Sequence, residues 1–309
     1  MDTPRIAVVG SSNTDMVVKA KRIPRPGETV TNGTFVMAPG GKGANQAVGA
    51  ARLGAWTTLI AKVGDDLFGH NAVDGFTAEG IEVHNVLFDD HNATGTALIL
   101  VDEKGENSIA VAPGANHALT PEEIDQAADA IEDSEVLLLQ LETPLDAVQR
   151  AAEIAAAAEK IVILDPAPAP DEPLPESLLK LVTYLTPNET EAESLTGIKV
   201  TDEASARKAA DVLIQRGVQN VIVTLGAKGA VIVGREAKAF FVEGRPVKAV
   251  DSTAAGDSFN GALAVALASE KPIEEAVRYA CLAASISVTR MGAQPSLPTR
   301  EEVEALETT

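Results

Sequence analysis

The sequence carries Asp251-Ser-Thr-Ala-Ala-Gly-Asp-Ser-Phe-Asn-Gly261 directly before an apolar helical run, Gly261-Ala-Leu-Ala-Val-Ala-Leu-Ala268. The start of a helix leaves backbone N–H groups unpaired and partly positive, so an anion is attracted to it. Side chains as small as Ala254, Ala255 and Gly256 let that anion rest directly on the backbone. This stretch therefore predicts a phosphate site at the start of a helix.

Asp257 stands at that predicted phosphate site. A bound phosphate repels a carboxylate, so a site that only held phosphate would have no reason to keep one. The residue makes chemical sense as a base that takes a proton from an attacking hydroxyl. Aspartate is also a common helix N-cap, and the residue pattern alone leaves both interpretations open. A helix N-terminus would lower the pKa of Asp257, which predicts a weak base.

Composition limits the classes of protein. The chain has 309 residues, of which 45% are hydrophobic, enough to bury one large α/β core with a small appendage. The formal net charge of −20 argues against a nucleic-acid or anionic-membrane surface, because those surfaces need clustered Lys and Arg. The single cysteine, Cys281, excludes a disulfide within these residues. Neither a signal segment nor a membrane-length apolar run is visible, so we expect a cytoplasmic protein.

From residue 135 onward, short apolar strands alternate with helices. Continuous apolar runs are typical of strands that are buried on both faces of a parallel sheet. The predicted strands cover residues 136–141, 161–164, 183–187 and 221–224, with 231–233 as a returning edge hairpin and a helix at 145–159. The sequence therefore predicts an α/β fold with a doubly wound, mostly parallel sheet, in a single domain spanning residues 1–309.

Two segments of the first half, about 15–38 and 94–112, read instead as hairpins of short strands. The first is interrupted by Pro24, Pro26 and Gly27, and neither segment has a helical period. We expect them to form a small β sheet over the site, with one apolar face left uncovered. That sheet is a candidate lid and a candidate surface for a homodimer.

A second group of polar residues lies near the N-terminus. Asn13 and Asp15 follow the apolar strand at residues 6–9, where an α/β sheet presents its ligand-binding edge. Two residues apart on an extended segment, they point the same way and suit two neighbouring hydroxyls, although an Asx turn is the alternative. Lys42 and Asn45 share a face at the start of the next helix. The glycines before Lys42 lack the spacing of a P-loop, which we reject.

Asn188 and Glu191, three residues apart at the start of another helix, form a polar pair. Such a pair suits Mg²⁺ held through water near phosphates. A capping box, in which the side chains and the first backbone N–H groups pair with each other, fits the same spacing equally well.

Taken together, residues 39–46 (Pro-Gly-Gly-Lys-Gly-Ala-Asn-Gln), the Asn188-x-x-Glu191 pair and above all residues 251–257 resemble the ribokinase (PfkB-type) carbohydrate kinase family. The resemblance covers essentially the whole chain, with the motifs in the family's order. It implies a ribokinase-like fold with a small β-sheet lid and the ATP-dependent phosphorylation of D-ribose at its 5-hydroxyl, assisted by Mg²⁺.

The resemblance also implies a role for individual residues. Asp257 would be the base, and the backbone N–H groups of Ala254, Ala255 and Gly256 would hold the transferring phosphoryl group. The ribose hydroxyls would be held by Asn13, Asp15, Gly41, Lys42, Asn45, Glu142 and Asp257. ATP would lie against Asn188, Thr224, Gly226, Gly229, Gly256 and Cys281, with Mg²⁺ held through water by Glu191. Ribokinases often carry Asn where this chain has Cys281, so we expect a changed adenine contact.

A monovalent cation, K⁺, is a further implication of the resemblance. It would lie beside the phosphate site, held by Asp251, Thr253, Ser287, Arg290, Gly292 and Ser296, mostly through backbone oxygens. The alternative is that Asp251 only caps its turn and that the tail of the chain only packs.

Three rival functions are open to the sequence. A kinase of the same family for deoxyribose, fructose or a nucleoside such as adenosine would share the transfer machinery. A non-catalytic sugar-binding regulator would have no use for Asp257. A dinucleotide dehydrogenase is disfavoured because Gly10-Ser-Ser lacks the G-x-G-x-x-G fingerprint.

Overall fold

A computed structural model describes residues 3–170, 172–235 and 239–307. In chain order its strands are β1 (Arg5–Val9), β2 (Asn13–Lys19), β3 (Thr34–Gly40), β4 (Trp56–Gly64), β5 (Val86–Asp89), β6 (Gly95–Val101), β7 (Asn107–Ala112), β8 (Val136–Leu139), β9 (Ile161–Leu164), β10 (Tyr184–Leu185), β11 (Asn220–Thr224), β12 (Gly229–Gly234) and β13 (Phe240–Glu243). Its helices are α1 (Lys42–Arg52), α2 (Leu67–Ala78), α3 (Pro121–Gln126), α4 (Ala128–Glu132), α5 (Leu145–Ala157), α6 (Glu176–Leu179), α7 (Glu189–Thr196), α8 (Glu203–Gln215), α9 (Ala255–Ala268), α10 (Ile273–Ser287) and α11 (Arg300–Glu307).

The main sheet has the strand order β13-β12-β11-β10-β9-β8-β1-β4-β5 over the described ranges. All neighbours pair in parallel except β12, which is antiparallel to both β11 and β13. The predicted winding of the second half is therefore confirmed. Two features were missed: β4 and β5 extend the sheet at one edge, and β13, rather than β12, forms the other edge.

Side chains alternate between two hydrophobic cores, one on each face of the sheet. Ile6 and Val8 of β1 enter the core that is covered by α1, α9 and α10, whereas Ala7 and Val9 enter the core covered by α5 and α8. All four side chains are buried. A strand that is apolar at every position needs such double cover, which explains the continuous apolar runs in the sequence.

Helices α1 and α9 pack closely on the first of these faces. A Cβ atom at Gly261 of α9 would lie 3.0 Å from the Gln46 carbonyl oxygen and 3.1 Å from the Ala50 nitrogen of α1. The absence of a side chain at Gly261 therefore lets the two backbones approach, which brings the first turn of α9 beside α1. The helix begins at Ala255, six residues before the apolar run that suggested its start.

The small sheet has the strand order β3-β2-β6-β7 and confirms both predicted hairpins. The prediction of one uncovered apolar face was wrong, because large apolar side chains are exposed on both faces. From the strand register, Phe35, Met37 and Leu98 share one face, and Val36, Ile109 and Val111 share the face of Asp15. The apolar character of β3 is continuous rather than alternating, which accounts for the difference.

Among the helices of the described ranges, we find none that is both long enough and apolar enough to cross a lipid bilayer.

Candidate active site

The ends of several parallel strands and the starts of two helices meet at one edge of the main sheet. Ser11, Glu142 and Asp165 lie at or just beyond the carboxyl ends of β1, β8 and β9, while α1 and α9 begin nearby at Lys42 and Ala255. Open α/β sheets bind their ligands at this edge, and helix N-termini add partial positive charge there.

Asp257 lies in the first turn of α9 and is 5% exposed. Its Oδ2 atom accepts a hydrogen bond from Asn45 Nδ2 at 2.9 Å, and its Oδ1 atom accepts one from Gln46 Nε2 at 3.2 Å. The N-cap of the helix is Ala254, which has no side-chain cap bond. The capping interpretation of Asp257 was therefore wrong, and its carboxylate is directed to α1 instead of to its own helix.

The pKa of Asp257 is raised, and burial is the main cause. Lys42 and the donors from Asn45 and Gln46 oppose this shift, while Glu142 adds to it. The expected lowering of this pKa, and with it the weak base, was therefore wrong, because the loss of hydration has a larger effect on the pKa than the helix N-terminus. A higher pKa makes this carboxylate a stronger base than an ordinary aspartate.

The predicted phosphate site at residues 254–257 forms the start of a helix, as expected, with unpaired backbone N–H groups. Ala254 has a left-handed backbone with φ of 58°, which costs about 1 kcal/mol for a residue with a Cβ atom. The N–H of Ala255 makes a long bond of 3.3 Å to the Ser252 carbonyl. Within the described ranges, the N–H groups of Ala254, Gly256 and Asp257 have no acceptor. Three unpaired donors thus remain for an anion at this helix start.

A cavity of about 140 Å³ lies against this phosphate site. Burial alone would lower the pKa of Lys42, but Asp257 and the other acids around it raise that pKa, so the ammonium group stays charged. One cation and three acids therefore share the cavity. Its lining residues include Lys42, Asp165, Asn188, Glu191, Thr224, Ala254, Gly256 and Asp257.

Asn13 and Asp15 lie on β2, where they share one face. The alternative of an Asx turn was wrong. Burial, followed by Glu142 and Asp257, raises the pKa of Asp15 to about 6. Asn13 Oδ1 accepts a hydrogen bond from Nδ2 of the buried Asn116 at 2.8 Å, a residue that sequence analysis missed. The Asn13 amide is thereby fixed in orientation.

The turn into α1 completes this side of the site. Gly41 has φ of 90°, and a Cβ atom there would lie 2.7 Å from the Asn13 nitrogen, so only glycine fits. Glu142 accepts hydrogen bonds from the Ser11 hydroxyl and, at 3.0 Å, from the Lys42 backbone N–H. Asn45 Oδ1 is buried with no partner in the part of the chain that is described. A ligand hydroxyl would satisfy this acceptor.

Comparison with known proteins identifies the family to which this site belongs. The pfkB family carbohydrate kinase profile matches residues 3–300. The chain belongs to the pfkB family of carbohydrate kinases. A ribokinase of Haemophilus influenzae is 47% identical to it over 96% of each chain, and a deoxyribokinase of Salmonella typhi is 39% identical over 96% of each. The structure of Arabidopsis thaliana ribokinase complexed with ribose and ATP has 35% identity and a TM-score of 0.94, with 100% of each chain covered.

The predicted nucleotide residues of this pfkB kinase fall into two groups. Asn188 and Thr224 line the cavity and form a parallel bridge. Gly226 and Gly229 flank the short turn between β11 and β12, and Cys281 lies on α10, which packs against β12 and β13. Burial raises the pKa of Cys281 to about 12, so its thiol stays protonated at neutral pH. These last three residues are not among those that line the cavity.

The pair Asn188 and Glu191 forms the capping box that was the alternative to a magnesium site. Asn188 Oδ1 accepts from the Glu191 N–H at 2.9 Å, and the Glu191 carboxylate accepts from the Asn188 N–H at 2.8 Å. Glu191 also lines the cavity, and burial raises its pKa. Capping therefore does not remove Glu191 from the site.

The predicted cation residues converge in part. Asp251 Oδ1 accepts from the N–H and hydroxyl of Thr253, and its Oδ2 atom accepts from the Gly292 N–H at 2.9 Å. These donors outweigh the effect of burial and lower the pKa of Asp251. Asp251 thus caps its turn, as the alternative stated, and it also ties that turn to the tail. The side chain of Arg290 pairs with Glu302, which leaves only its backbone for a cation.

Sequence analysis assigned no role to the polar residues behind Asp257. Gln46, Gln140 and Asp165 are buried and hydrogen-bonded to one another or to Asp257. A usable signal existed for Gln46, because it follows Asn45 directly on a helix whose next residues are all small or apolar. Gln140 and Asp165 each interrupt or end an apolar strand, which is also unusual for a structural core.

Proposed function

We propose that the protein transfers the terminal phosphoryl group of ATP to the 5-hydroxyl of D-ribose, giving ribose 5-phosphate and ADP. The observation that carries this proposal is the buried carboxylate of Asp257 beside three unpaired backbone donors at the start of α9. The high identity to a ribokinase over nearly the full length supports the choice of sugar. The site lies in one kinase domain, with the small sheet as its lid.

In the proposed reaction, the ribose 5-oxygen forms a bond to the terminal phosphorus while the bond from that phosphorus to the ADP oxygen breaks. Asp257 accepts the proton of the 5-hydroxyl, and its raised pKa favours that acceptance. The N–H groups of Ala254, Ala255 and Gly256, joined by the unpaired N–H of Asp257 and by Lys42, offset the negative charge on the transferring group. The sugar is held by Asn13, Asp15, Gly41, Asn45 and Glu142, with a further contact from Lys42.

Mg²⁺ fits this site for an electrostatic reason. Three acids line the cavity with a single lysine, so a polyphosphate entering it would meet a net negative charge. In the described ranges no three His, Cys, Asp or Glu side chains are grouped to hold a metal ion. Glu191 would hold Mg²⁺ through water, and the phosphates would supply the remaining ligands, as Mg²⁺ prefers. The ion would then neutralise charge on the phosphates.

An assay of ADP release from ATP and Mg²⁺ tests the function, with ribose, deoxyribose, fructose and adenosine compared as acceptors. We expect the highest kcat/KM with ribose. Deoxyribose is the strongest rival, because a deoxyribokinase is 39% identical to this chain. Binding of ribose without ADP release would favour the sugar-binding regulator.

A K⁺ site beside the phosphate site is part of the proposal. Backbone oxygens of Ser287, Arg290 and Gly292, with Asp251, Thr253 and Ser296, would form the carbonyl-rich coordination that suits a large monovalent ion. Its charge would stabilise the anionic phosphoryl group. We expect activity to rise severalfold when K⁺ replaces Na⁺ at constant ionic strength. Asp251→Ala should abolish this response, and equal rates in the two salts would remove the cation from the proposal.

We also propose a homodimer that forms through the small sheet, since six large apolar side chains on its two faces are about half exposed. The variant with Phe35→Lys and Ile109→Lys, which places one charge on each face, is expected to elute as a monomer. Glu103→Lys, at the turn between β6 and β7, adds the same charge outside those faces and should leave the dimer intact. A monomeric parent protein would contradict the proposal. We place the enzyme in the cytoplasm, where ATP is available.

A further inference from the structure

The amide of Gln46 joins two buried carboxylates. Its Nε2 atom donates to Asp257 Oδ1 at 3.2 Å and to Asp165 Oδ2 at 2.8 Å. Gln46 is 0% exposed, and each acid is 5% exposed. Both hydrogens of the NH₂ group are therefore used, one on each acid.

Gln140 fixes which way that amide faces. Its Nε2 atom donates to Gln46 Oε1 at 2.7 Å, and its own Oε1 atom has no partner in the described ranges. If the Gln46 amide turned over, its NH₂ group would face the NH₂ group of Gln140 and its oxygen would face two carboxylates. Both changes are unfavourable while the acids are charged, so the hydrogen-bond pattern favours the observed orientation.

We infer that Gln46 is a positioning residue for phosphoryl transfer: it holds the Asp257 carboxylate in its reactive orientation, and Gln140 holds Gln46. The inference rests on the proposed function. Asn45 restrains the other oxygen of Asp257, with Nδ2 at 2.9 Å from Oδ2. With a donor on each oxygen, the carboxylate plane is set by α1, and a lone pair remains for the substrate proton. A base that is free to rotate would lose part of the advantage of a fixed geometry.

The first test is Gln46→Leu, which keeps most of the side-chain volume but removes the donor. We expect kcat to fall roughly tenfold, with the KM values of ribose and ATP changed less than threefold. Gln140→Leu is the matched control for the loss of a buried amide from the same cluster. It should lower the thermal stability comparably and lower kcat less, because the donor to Asp257 remains. An unchanged kcat in folded Gln46→Leu, or a loss confined to KM, would overturn the inference.

A double-mutant cycle separates positioning from a general structural role. If Gln46 acts through Asp257, Gln46→Leu should have almost no further effect on kcat in protein that already carries Asp257→Asn. Effects that multiply would show that Gln46 acts elsewhere, and would overturn the inference. The outcome is distinct from failure of the proposed function, which would appear as normal turnover in Asp257→Asn alone or as no phosphorylation of any sugar by the parent protein.

The pH profile supplies a second readout. The donor from Gln46 stabilises the charged form of Asp257, so its loss raises the pKa of that carboxyl further. The acidic limb of the kcat profile should therefore move to higher pH in Gln46→Leu, whereas loosened packing alone would lower kcat at every pH. The charged or titratable groups that act on Asp257 from the surrounding elements are Asp15, Lys42, Glu142, Asp165 and Glu191, and all are retained in this variant.

Discussion

Asp257→Asn is expected to lower kcat by roughly two or more orders of magnitude while binding of ribose and ATP stays close to normal. The amide has the shape of the carboxylate and keeps an oxygen acceptor, and its NH₂ group costs one of the two hydrogen bonds from α1. It cannot accept the proton of the attacking hydroxyl. Substrate contacts from β2 and from the start of α1 do not depend on that proton, so the loss should appear in kcat.

The measurement is steady-state ADP release, paired with calorimetric binding of each substrate. Asp211→Asn makes the same chemical change at an exposed position on α8 and serves as the control. Near-normal turnover in a folded Asp257→Asn variant would remove the base from the mechanism. A large loss of ribose affinity with unchanged kcat would instead assign Asp257 to binding.

The main sheet was predictable because its strands are buried on both faces. Continuous apolar runs such as residues 161–164 match β9 to the residue, since no competing periodicity exists. The edges were less predictable. Strand β13 has only a short apolar run, Phe240-Phe-Val242, of which Val242 alone is buried, and its pairing with β12 defines it as a strand.

The residues of the candidate site likewise fall into those that the sequence could predict and those that it could not. Residues with special backbone needs, such as Gly41 and residues 254–257, could be located from the sequence because small side chains mark them. The raised pKa of Asp257 could not be predicted from the sequence. The direction of that pKa shift depends on how much water the packing of α1 against α9 removes. The position of Asp257 at a helix N-terminus predicted a lowered pKa, but burial has the larger effect on that pKa and raises it. Gln46 and Asn116 act through contacts with residues distant in sequence, so even where a local pattern marks Gln46 as unusual, it does not identify its partner Asp257.

Asp15→Ala is expected to raise the KM of ribose by roughly ten- to a hundredfold with little change in the KM of ATP. The alanine removes a charged acceptor for sugar hydroxyls, a loss on the order of 1.5 to 3 kcal/mol. Asp15 faces the site from β2 in register with Ala38 and Ala97, and those small neighbours cannot replace the contact. Unchanged ribose affinity with weakened ATP binding would show that the sugar lies elsewhere.

The pH dependence of ribose binding gives an independent check on the same contact. The pKa of Asp15 is raised to about 6 by burial and by the nearby charges of Glu142 and Asp257. The carboxylate that accepts the sugar hydroxyls is therefore present above pH 6 and is lost as the pH falls through that value. Ribose affinity measured by calorimetry should weaken below about pH 6 in the parent protein. Asp15→Asn keeps the size of the side chain but has no proton to gain, so its weaker ribose affinity should vary less over the same range. If the pH dependence were identical in the two proteins, the titrating group would be another acid and the charged contact from Asp15 to ribose would be wrong.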